Sequence, residues 1–455
     1  MILLVDMDAF FASVEQQLHP HLRGKAIIVC GDKDRRGVVT AASYEARPFG
    51  VRAGMPMREA QRLCPHAEFV EGNPRKYVEK SLELLELFLT VTPDVEPFSV
   101  DEAFLDLSKL GDRGNGYEAA TRIARGIQQR IADEHGLGAS IGIGPNKLIA
   151  KMASGVEKPR GLTVMDEERF QGVFWPQKVQ ALWGVGEKTA AAFGRIGILT
   201  VGDLARAPDP VLEQHFGVVG PHLKQAAWGR DRTPVTPYHV GVDPKTMGHE
   251  VTLPEDSRDA SFLEGTLLRL SDQVARRLRG DGFTSRTLVL KLRDFRFRTI
   301  TRQRALPVAV DDHLSIFEVV RSLWRENWKG EPVRLIGVSA SALEKPGEGE
   351  QIELFTRDER KLALQEALDQ VRDKLGEASV VPAGSLAYRR ATGHVPFGAI
   401  HRKDADAMGK GDPRVQRRAI QERLKGRGGY DQGADLSAPD PTQLKPRLDR
   451  KPRSR

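Results

Sequence analysis

The stretch SVDEAFLD, residues 99–106, places two acidic residues at the start of an otherwise apolar strand. Alternation along a strand would turn Asp101 to one face and Glu102 to the other, so at least one carboxylate would point at a core. Burying a charge in this way costs free energy unless the charge is neutralised. A second short apolar segment, residues 1–7, also ends on acids, and it carries Asp6.

If these two strands are neighbours in one sheet, Asp6, Asp101 and Glu102 converge. Three carboxylates at hydrogen-bonding range repel one another unless divalent cations neutralise them. Such oxygen ligands suit Mg²⁺, which binds through a few carboxylates together with substrate phosphates, and two Mg²⁺ ions serve in-line phosphoryl transfer. For the DE dipeptide alone, an exposed turn with chance acids is the alternative.

Composition predicts a globular protein of several domains, because the 455 residues are 40% hydrophobic and 29% charged. No run of about 18 apolar residues occurs, and no basic segment precedes the apolar N-terminus, so we expect neither a membrane span nor a signal peptide. Only two cysteines, Cys30 and Cys64, are present. They exclude a disulfide framework and a Cys-type zinc site, and they indicate the reducing cytoplasm.

The net charge of +7 is unevenly distributed along the chain. Residues 384–455 hold 17 Lys or Arg against 8 Asp or Glu, a net +9, which leaves about −2 for the rest. This tail is rich in Pro, Gly and Arg, and its composition predicts disorder. The basic character of the chain therefore says little about its folded part.

Strands and helices alternate up to about residue 166, which predicts an α+β arrangement. Beyond that point short helices are interrupted by glycines, and the Pro-rich stretch RTPVTPYHVGVDP, residues 232–244, is typical of a tether between domains. Periodicity predicts further long elements, namely helices over 75–90, 117–135, 263–278 and 314–328, a hairpin around 293–294 and a strand over 332–343.

Four motifs occur in a fixed order: DMDAFFASVE (6–15), YEAR (44–47), SVDEAFLD (99–106) and SIGIGPNKLIAKMAS (140–154). Together they closely resemble the Y-family DNA polymerases, and within them the bacterial DNA polymerase IV (DinB) branch. The resemblance covers about residues 1–345 and implies a right-hand polymerase with a ferredoxin-like palm sheet, small fingers, a helical helix-hairpin-helix thumb and an α+β little finger. The expected boundaries are palm 1–10 and 75–165, fingers 11–74, thumb 166–230, linker 231–243, little finger 244–345, clamp-binding motif and helix 346–383, and basic disordered tail 384–455.

The resemblance also implies roles for the acids. Asp6 and Asp101 would bridge two Mg²⁺ ions, Glu102 would bind the catalytic ion, and the backbone carbonyl of Met7 would complete the shell of the second ion. Asp8 fits the family pattern but is not a usual ligand there. The three acids Asp6, Asp101 and Glu102 are therefore the expected catalytic residues.

The resemblance implies a nucleotide-binding set of four side chains: Phe11, Tyr44, Arg47 and Lys158. Tyr44 and Arg47 resemble a phenol donor and a guanidinium that grip the triphosphate, and Lys158 resembles a palm lysine that reaches the same phosphates. Phe11 would lie against the incoming sugar where a 2′-hydroxyl would clash, whereas Phe10 is expected in the core. One departure concerns Ala41, where relatives often have threonine, so one phosphate contact is in doubt.

Two regions are expected to contact DNA. The sequence GVGEKTAAAFGRIGI resembles a helix-hairpin-helix in which Gly184 and Gly186 let the backbone approach a phosphate, with Lys188 in the following helix; a plain glycine turn is the alternative. In the little finger, basic residues alternate with leucines and then phenylalanines, which predicts one basic face for backbone contacts; a solvated sheet face is the alternative. These basic residues are Arg286, Lys291, Arg293, Arg296, Arg298, Arg302 and Arg304.

Two further contacts are expected. Lys147, at the turn after SIGIG, could touch a phosphate, although that turn is expected to be largely structural. QIELF, residues 351–355, resembles the peptide by which bacterial proteins bind the sliding clamp (β subunit), with Gln351, Leu354 and Phe355 as anchors. A short strand, or the lead of the following helix, is the alternative for this segment.

The expected function is error-prone, translesion addition of dNTPs to the primer end of primer–template DNA, by a monomer. The fingers are short and no second acid-rich constellation suggests a proofreading exonuclease. Two other classes are compatible with parts of the pattern: a non-catalytic Y-family accessory protein, and a nucleotide cyclase with a similar palm. Intact acids argue against the first, and the DNA-binding regions have no purpose in the second.

Overall fold

The computed structural model of the chain describes residues 1–31, 36–113, 116–240, 243–345, 359–375 and 379–386. Strands and helices alternate over the first 165 residues, as the sequence predicts. They are β1 (Ile2–Met7), α1 (Phe10–Leu18), β2 (Ile27–Cys30), β3 (Val39–Ala42), α2 (Met57–Leu63), β4 (Glu68–Glu71), α3 (Pro74–Leu89), β5 (Val95–Pro97), β6 (Glu102–Asp106), α4 (Gly116–His135), β7 (Ala139–Gly144), α5 (Lys147–Ser154) and β8 (Leu162–Val164).

The first sheet has the strand order β5-β6-β1-β7-β8, and its central strand β1 is antiparallel to both neighbours. In the register of β1 with β6, Asp6 lies opposite Glu102. The prediction that the two acidic segments are neighbours in one sheet is therefore confirmed. Asp101, however, precedes β6, so the expectation that it alternates with Glu102 within one strand is wrong.

Two layers of helix cover this sheet. Apolar residues of α3 and α4, such as Leu82 and Ile127, share a core with Leu3 and Val5 of β1. The other face carries Leu4 and Phe104 together with Ala150 of α5. Because residues two apart on a strand share a face, Asp6 and Glu102 lie on the α5 side of the sheet.

Helix α5 lies unusually close to β7 because two glycines of the SIGIG motif face it. A Cβ added to Gly142 would lie 2.0 Å from the carbonyl oxygen of Ala150, and one at Gly144 would lie 2.8 Å from the Ala150 nitrogen. The helix begins after Asn146, whose side chain accepts a hydrogen bond from the Ile149 amide at 2.9 Å. The motif therefore fixes α5 against the sheet, as its small residues suggest.

Residues 26–71 form a smaller sheet with the order β3-β2-β4, in which β2 and β4 are parallel. A helical region follows the first sheet. Its elements are α6 (Glu167–Phe174), α7 (Glu187–Arg195), α8 (Val201–Arg206), α9 (Asp209–Phe216) and α10 (Val219–Ala227). Phe170 and Phe193 are fully buried in its core, which also includes Ile149 of α5.

The Pro-rich segment after α10 is held against the first sheet rather than extending as a tether. The Thr236 amide donates to Glu96 of β5 at 2.7 Å, Val235 packs beside Leu4 and Phe104, and Tyr238 is buried in the core of the first sheet. The interpretation of residues 232–244 as a tether is therefore wrong for the part up to Tyr238.

A third sheet with its helices follows this segment. The elements are β9 (Thr246–Ser257), α11 (Ala260–Gly280), β10 (Thr284–Asp294), β11 (Thr299–Val310), α12 (His313–Asn327), β12 (Val333–Glu344) and, farther along, α13 (Glu359–Leu375). The sheet has the order β11-β10-β12-β9 and is antiparallel throughout. Helices α11 and α12 contribute the apolar side chains that share a core with the sheet. The predicted hairpin and helices of this region are confirmed.

Helix α13 docks on α11 through buried charges, which the sequence did not suggest. Arg372 donates to both carboxylate oxygens of Asp272 at 3.0 Å, and both side chains are almost fully buried. Arg279 makes a second ion pair with Asp369 at 2.8 Å. Gln351, Leu354 and Phe355 of the expected clamp-binding motif, and the tail beyond residue 386, lie outside the described residues.

Within the ranges given above, no helix combines the length and the apolar character that crossing a membrane requires.

Candidate active site

Two acids and two lysines meet where β1 and β6 lie side by side. Asp6 is 6% exposed and faces Glu102 across the strands. The Lys151 ammonium contacts Oε1 of Glu102 and lies 3.7 Å from Oδ2 of Asp6. The Lys158 ammonium lies 2.5 Å from the other oxygen, Oδ1, of Asp6. The charges at this end of the sheet are thus paired, which makes their burial tolerable.

Asp101 lies next to this cluster but its carboxylate is bound elsewhere. Its Oδ1 accepts a hydrogen bond from Ser99 Oγ at 2.5 Å, and its carbonyl accepts one from the Met7 amide at 2.9 Å. Across the described part of the chain, no three or more Asp, Glu, His or Cys side chains are grouped so as to hold a metal ion. The structure therefore brings Asp6 and Glu102 together and leaves the Asp101 carboxylate turned to Ser99.

Burial raises the pKa of the Glu102 carboxyl, and the neighbouring Asp6 charge raises it further, while Lys151 opposes both effects. Two adjacent carboxylates with little solvent require a compensating positive charge. Carboxylate oxygens are the hard donors that Mg²⁺ prefers. Asp6 and Glu102 place such donors opposite each other on neighbouring strands.

Asp8 is a buried structural acid. Its Oδ1 accepts hydrogen bonds from Ser140 Oγ at 2.8 Å and Tyr44 Oη at 3.2 Å, and its Oδ2 accepts one from the Arg160 amide at 2.8 Å. Both oxygens are therefore used in joining β1, β7 and the segments around Tyr44 and Arg160. This role agrees with its omission from the expected metal ligands, and the sequence alone gave no signal for it.

The residues expected to bind the triphosphate lie around the end of β1, near Asp8. Tyr44 reaches Asp8, and the Arg47 guanidinium lies 4.2 Å from the centroid of the Tyr44 ring. Burial, and then the negative charge of Asp8, raise the pKa of Tyr44 to about 12, so its phenol remains a donor at neutral pH. Lys158 reaches the same strand end through Asp6. The structure thus places Tyr44, Arg47 and Lys158 around one strand end, with Arg47 exposed.

Phe11 lies in the first turn of α1 and is partly exposed. Its ring stacks on Tyr77 with centroids 4.3 Å apart and planes 17° apart, and Tyr77 Oη donates to the buried Glu15 at 2.6 Å. Phe11 therefore has a rigid support that the sequence did not reveal. Phe10 is 3% exposed, so the expectation that it packs into the core is confirmed.

Lys147 does not have the role considered for it. Its ammonium is buried and lies 2.7 and 2.8 Å from the two oxygens of Glu96, so contact with a phosphate is excluded in this arrangement. Lys151, four residues later on the same helix face, is the lysine that reaches the acids. The sequence could have indicated Lys151, because residues four apart on a helix share a face, so Lys147 and Lys151 both face the acid-bearing strands.

In the helical region, the expected hairpin residues are exposed. Gly184 has φ of 93°, a conformation that favours glycine, and Gly186 immediately precedes α7, which contains the exposed Lys188. The element before this hairpin is a single 3₁₀ turn, Val179–Ala181, in place of the first α-helix of the expected motif.

The basic residues of the third sheet do not form the single face that alternation predicts. Arg302 lies opposite Leu290, whose side chain is in the core, and its guanidinium contacts Asn327 of α12. Directly opposite residues share a face, so Arg302 lies on the helix side, as does Arg304 beside Glu326. Lys291 lies on the other side and pairs with Glu250 at 2.7 Å. Arg286 pairs with Glu344, Arg298 pairs with Asp294, and Arg296 lies over the Phe295 ring.

Comparison with known proteins identifies the architecture. Family models described as the impB/mucB/samB family and the impB/mucB/samB family C-terminal domain match residues 5–155 and 244–354. The chain is 42% identical to DNA polymerase IV of Moorella thermoacetica over 388 residues, covering 85% of this chain and 96% of the relative. It belongs to the DNA polymerase IV branch of the Y-family DNA polymerases. A second relative, DNA polymerase IV of Pelotomaculum thermopropionicum, is 38% identical over 408 residues, covering 89% of this chain and 98% of the relative.

Solved structures agree with this membership. A Y-family DNA polymerase chimera of Dbh and Dpo4 is 26% identical, with a TM-score of 0.67 over 76% of this chain and 99% of that chain. An insertion ternary complex of Dbh DNA polymerase is 26% identical, with a TM-score of 0.53 over 75% and 98%. The expected α+β right-hand polymerase fold is confirmed.

The membership also decides between the classes that the sequence left open. The chain is a DNA-directed DNA polymerase of the translesion type, and neither a non-catalytic accessory protein nor a nucleotide cyclase. Enzymes of this family depend on divalent metal ions and act on DNA.

Proposed function

We propose that this polymerase extends a primer end without proofreading, with two Mg²⁺ ions held by Asp6, Asp101 and Glu102 and by the Met7 carbonyl. The observation that carries the proposal is the cross-strand pair Asp6–Glu102, whose charges are balanced by lysine ammonium groups. A carboxylate pair that already holds ammonium groups offers the oxygen donors that Mg²⁺ prefers. Asp101 would join them by leaving Ser99, a change of one side-chain rotamer.

When bound, the ions would polarise the reacting phosphate and stabilise the charge that develops on it. The chain's own residues then have separable tasks. Lys158 and Arg47 would bind the triphosphate, and Tyr44 would donate to it by turning its single O–H away from Asp8, to which it donates in this structure. Phe11, supported from below by Tyr77, would exclude a ribose 2′-hydroxyl by contact.

We further propose that primer–template DNA is held through its backbone by the hairpin at Gly184 and Gly186 with Lys188, and by the little finger. Of the little-finger candidates, Lys291 lies on the open face of the sheet, away from α11 and α12, and Arg296 and Arg298 lie in the β10–β11 turn. The ion pair of Lys291 with Glu250 is exposed, so a phosphate could replace that carboxylate at little cost. Arg298 is exposed although its partner Asp294 is buried, and the Arg296 guanidinium lies over the Phe295 ring.

The partners and compartment are also proposals. QIELF would recruit the sliding clamp β subunit to a monomeric enzyme, because an extended polar–apolar peptide suits a hydrophobic pocket. We infer a cytoplasmic location, supported by a DNA substrate and by two cysteines not joined in a disulfide.

The test compares primer extension by Glu102→Gln and Asp101→Asn with that of the unaltered protein, at fixed Mg²⁺ and dNTP concentrations. Asp106→Asn is the matched control, because Asp106 ends the same strand and lies opposite Ile2, at the other end of the pairing. We expect both site variants to lose about 10³-fold or more in rate while binding primer–template DNA within a few-fold of the unaltered protein. Extension at the control's rate by either variant would refute the assignment.

A further inference from the structure

Lys151 occupies a position that the expected polymerase roles leave unexplained. It projects from α5, and α5 is held against β7 by the contacts of Gly142 and Gly144. Its side chain is 20% exposed, and those of Glu102 and Asp6 are 16% and 8% exposed. A lysine on a helix fixed in this way delivers its charge to the carboxylates with little freedom to leave them.

The two lysines of the site differ in what they touch. Lys158 contacts Asp6 and belongs to the segment between α5 and β8, from which the resemblance implies a contact with the triphosphate. Lys151 touches Glu102 and lies near Asp6, so it bridges the two acids that are opposite each other in the sheet. When a triphosphate draws Lys158 away, Lys151 remains as the positive charge fixed beside both acids.

We propose that Lys151 is a positioning residue that acts as the resident counter-cation of Asp6 and Glu102. It holds the two carboxylates together in the absence of metal and competes with a divalent ion for their oxygens. Its charge therefore keeps the affinity of the two carboxylates for the metal ion weak until the phosphates of the nucleotide add further ligands. This inference rests on the proposed metal ligands, and it concerns a residue that the expected site did not include.

A purely structural ion pair gives a different expectation. Removing one partner of such a pair weakens the fold, because a buried carboxylate loses its neutralising charge. It does not tighten metal binding. An increase in metal affinity on removal of Lys151 is therefore a readout that damage to the structure would not produce.

The experiment titrates Mn²⁺ into the full chain, without DNA or nucleotide, and follows the free ion by electron paramagnetic resonance. We expect Lys151→Met and Lys151→Gln to bind Mn²⁺ at least about tenfold more tightly than the unaltered protein, since repulsion between like charges is removed. Lys151→Arg, which keeps the charge, should retain the original affinity. Lys25→Met is the matched control, because Lys25 makes a similar pair with Glu68 at 2.6 Å on the surface.

A second measurement follows thermal unfolding in EDTA and again with Mn²⁺. We expect Lys151→Met and Lys151→Gln to melt at lower temperature in EDTA and to gain more from Mn²⁺ than the unaltered protein does. Unchanged or weaker Mn²⁺ binding by both variants would overturn the inference.

Glu102→Gln separates this failure from failure of the proposed function. If it abolishes Mn²⁺ binding while the Lys151 variants bind as the unaltered protein does, only the role of Lys151 is wrong. If it binds Mn²⁺ normally, the proposed metal ligands are wrong as well.

Discussion

Gly142→Ala tests whether the close approach of α5 to β7 is what places Lys151 at the acids. The added Cβ would lie 2.0 Å from the Ala150 oxygen and 2.4 Å from the Ser154 nitrogen, both backbone atoms that cannot rotate away. Gly142 does not adopt a positive φ, so alanine is compatible with its own backbone conformation. The whole effect must therefore come from the displacement of α5.

The displacement can be estimated from these contacts. The 2.0 Å separation must reach about 3.4 Å, where ordinary contacts begin, so the helix moves by about 1.4 Å. Overpacking a core costs about 1–3 kcal/mol and more where backbone is struck, so we expect a loss near 3 kcal/mol. A shift of about 1 Å can lower a rate by about 100-fold, so primer extension should fall by that order even at temperatures where the variant remains folded.

Gly126→Ala is the control, because Gly126 lies within α4 with no atom within 4 Å of its added Cβ. It should stabilise the protein by about 0.5–1 kcal/mol, since alanine favours the helix, and leave the rate of extension unchanged. Calorimetry and primer extension on both variants provide the measurements. A Gly142→Ala protein with the original melting temperature and rate would refute the packing argument.

Three further outcomes are expected. Phe11→Ala should admit ribonucleotides while retaining part of the DNA synthesis, and unchanged selection between rNTP and dNTP in single-nucleotide incorporation would place the gate elsewhere. Arg372→Met should leave the buried Asp272 carboxylate with the longer pair to Arg269, at 3.4 Å, and cost about 3 kcal/mol, seen as earlier melting and proteolysis near α13, whereas equal stability would mean that α13 is not anchored by this pair. Joint replacement of Leu354 and Phe355 by Ala should leave distributive synthesis intact and abolish stimulation by the sliding clamp, and equal stimulation would place the contact in the basic tail.

The pairing of the two acid-bearing strands could be predicted because each strand is recognisable from a few consecutive residues. An apolar run ending on acids identifies a strand whose end reaches a polar site, and two such strands in a short α+β segment have few ways to be arranged. The close packing of α5 against β7 also depends on a few consecutive residues, the glycines of SIGIG. The alternation of polar and apolar residues could not predict where β6 begins, so it could not predict the orientation of Asp101.

Other features depended on contacts between distant parts of the chain. Pro-rich composition indicates an extended segment. Whether that segment is a free tether or lies against the first sheet depends on its contacts with Glu96 and Phe104, which lie over a hundred residues earlier. Lys291 and Arg293 alternate with the leucines of β10, and Arg302 and Arg304 lie two residues apart on β11, yet the hairpin register places Arg302 opposite the core residue Leu290. One residue of register decides which face a side chain occupies, and the sequence does not fix that register.

Helix α5 connects the acids of β1 and β6 with the segment that follows α10, which explains how Glu102 at the start of β6 is accommodated. Its first turn holds the segment after α10, since Asn146 donates to the Gly229 carbonyl at 2.8 Å and Lys147 pairs with Glu96, which also binds Thr236. Its last turn supplies Lys151 to Asp6 and Glu102. A single helix, fixed by glycines, thus brings a positive charge to Asp6 and Glu102 and fixes the point from which the chain leaves for the third sheet. A movement of α5 would therefore change the charge at the acids and the origin of the linker together.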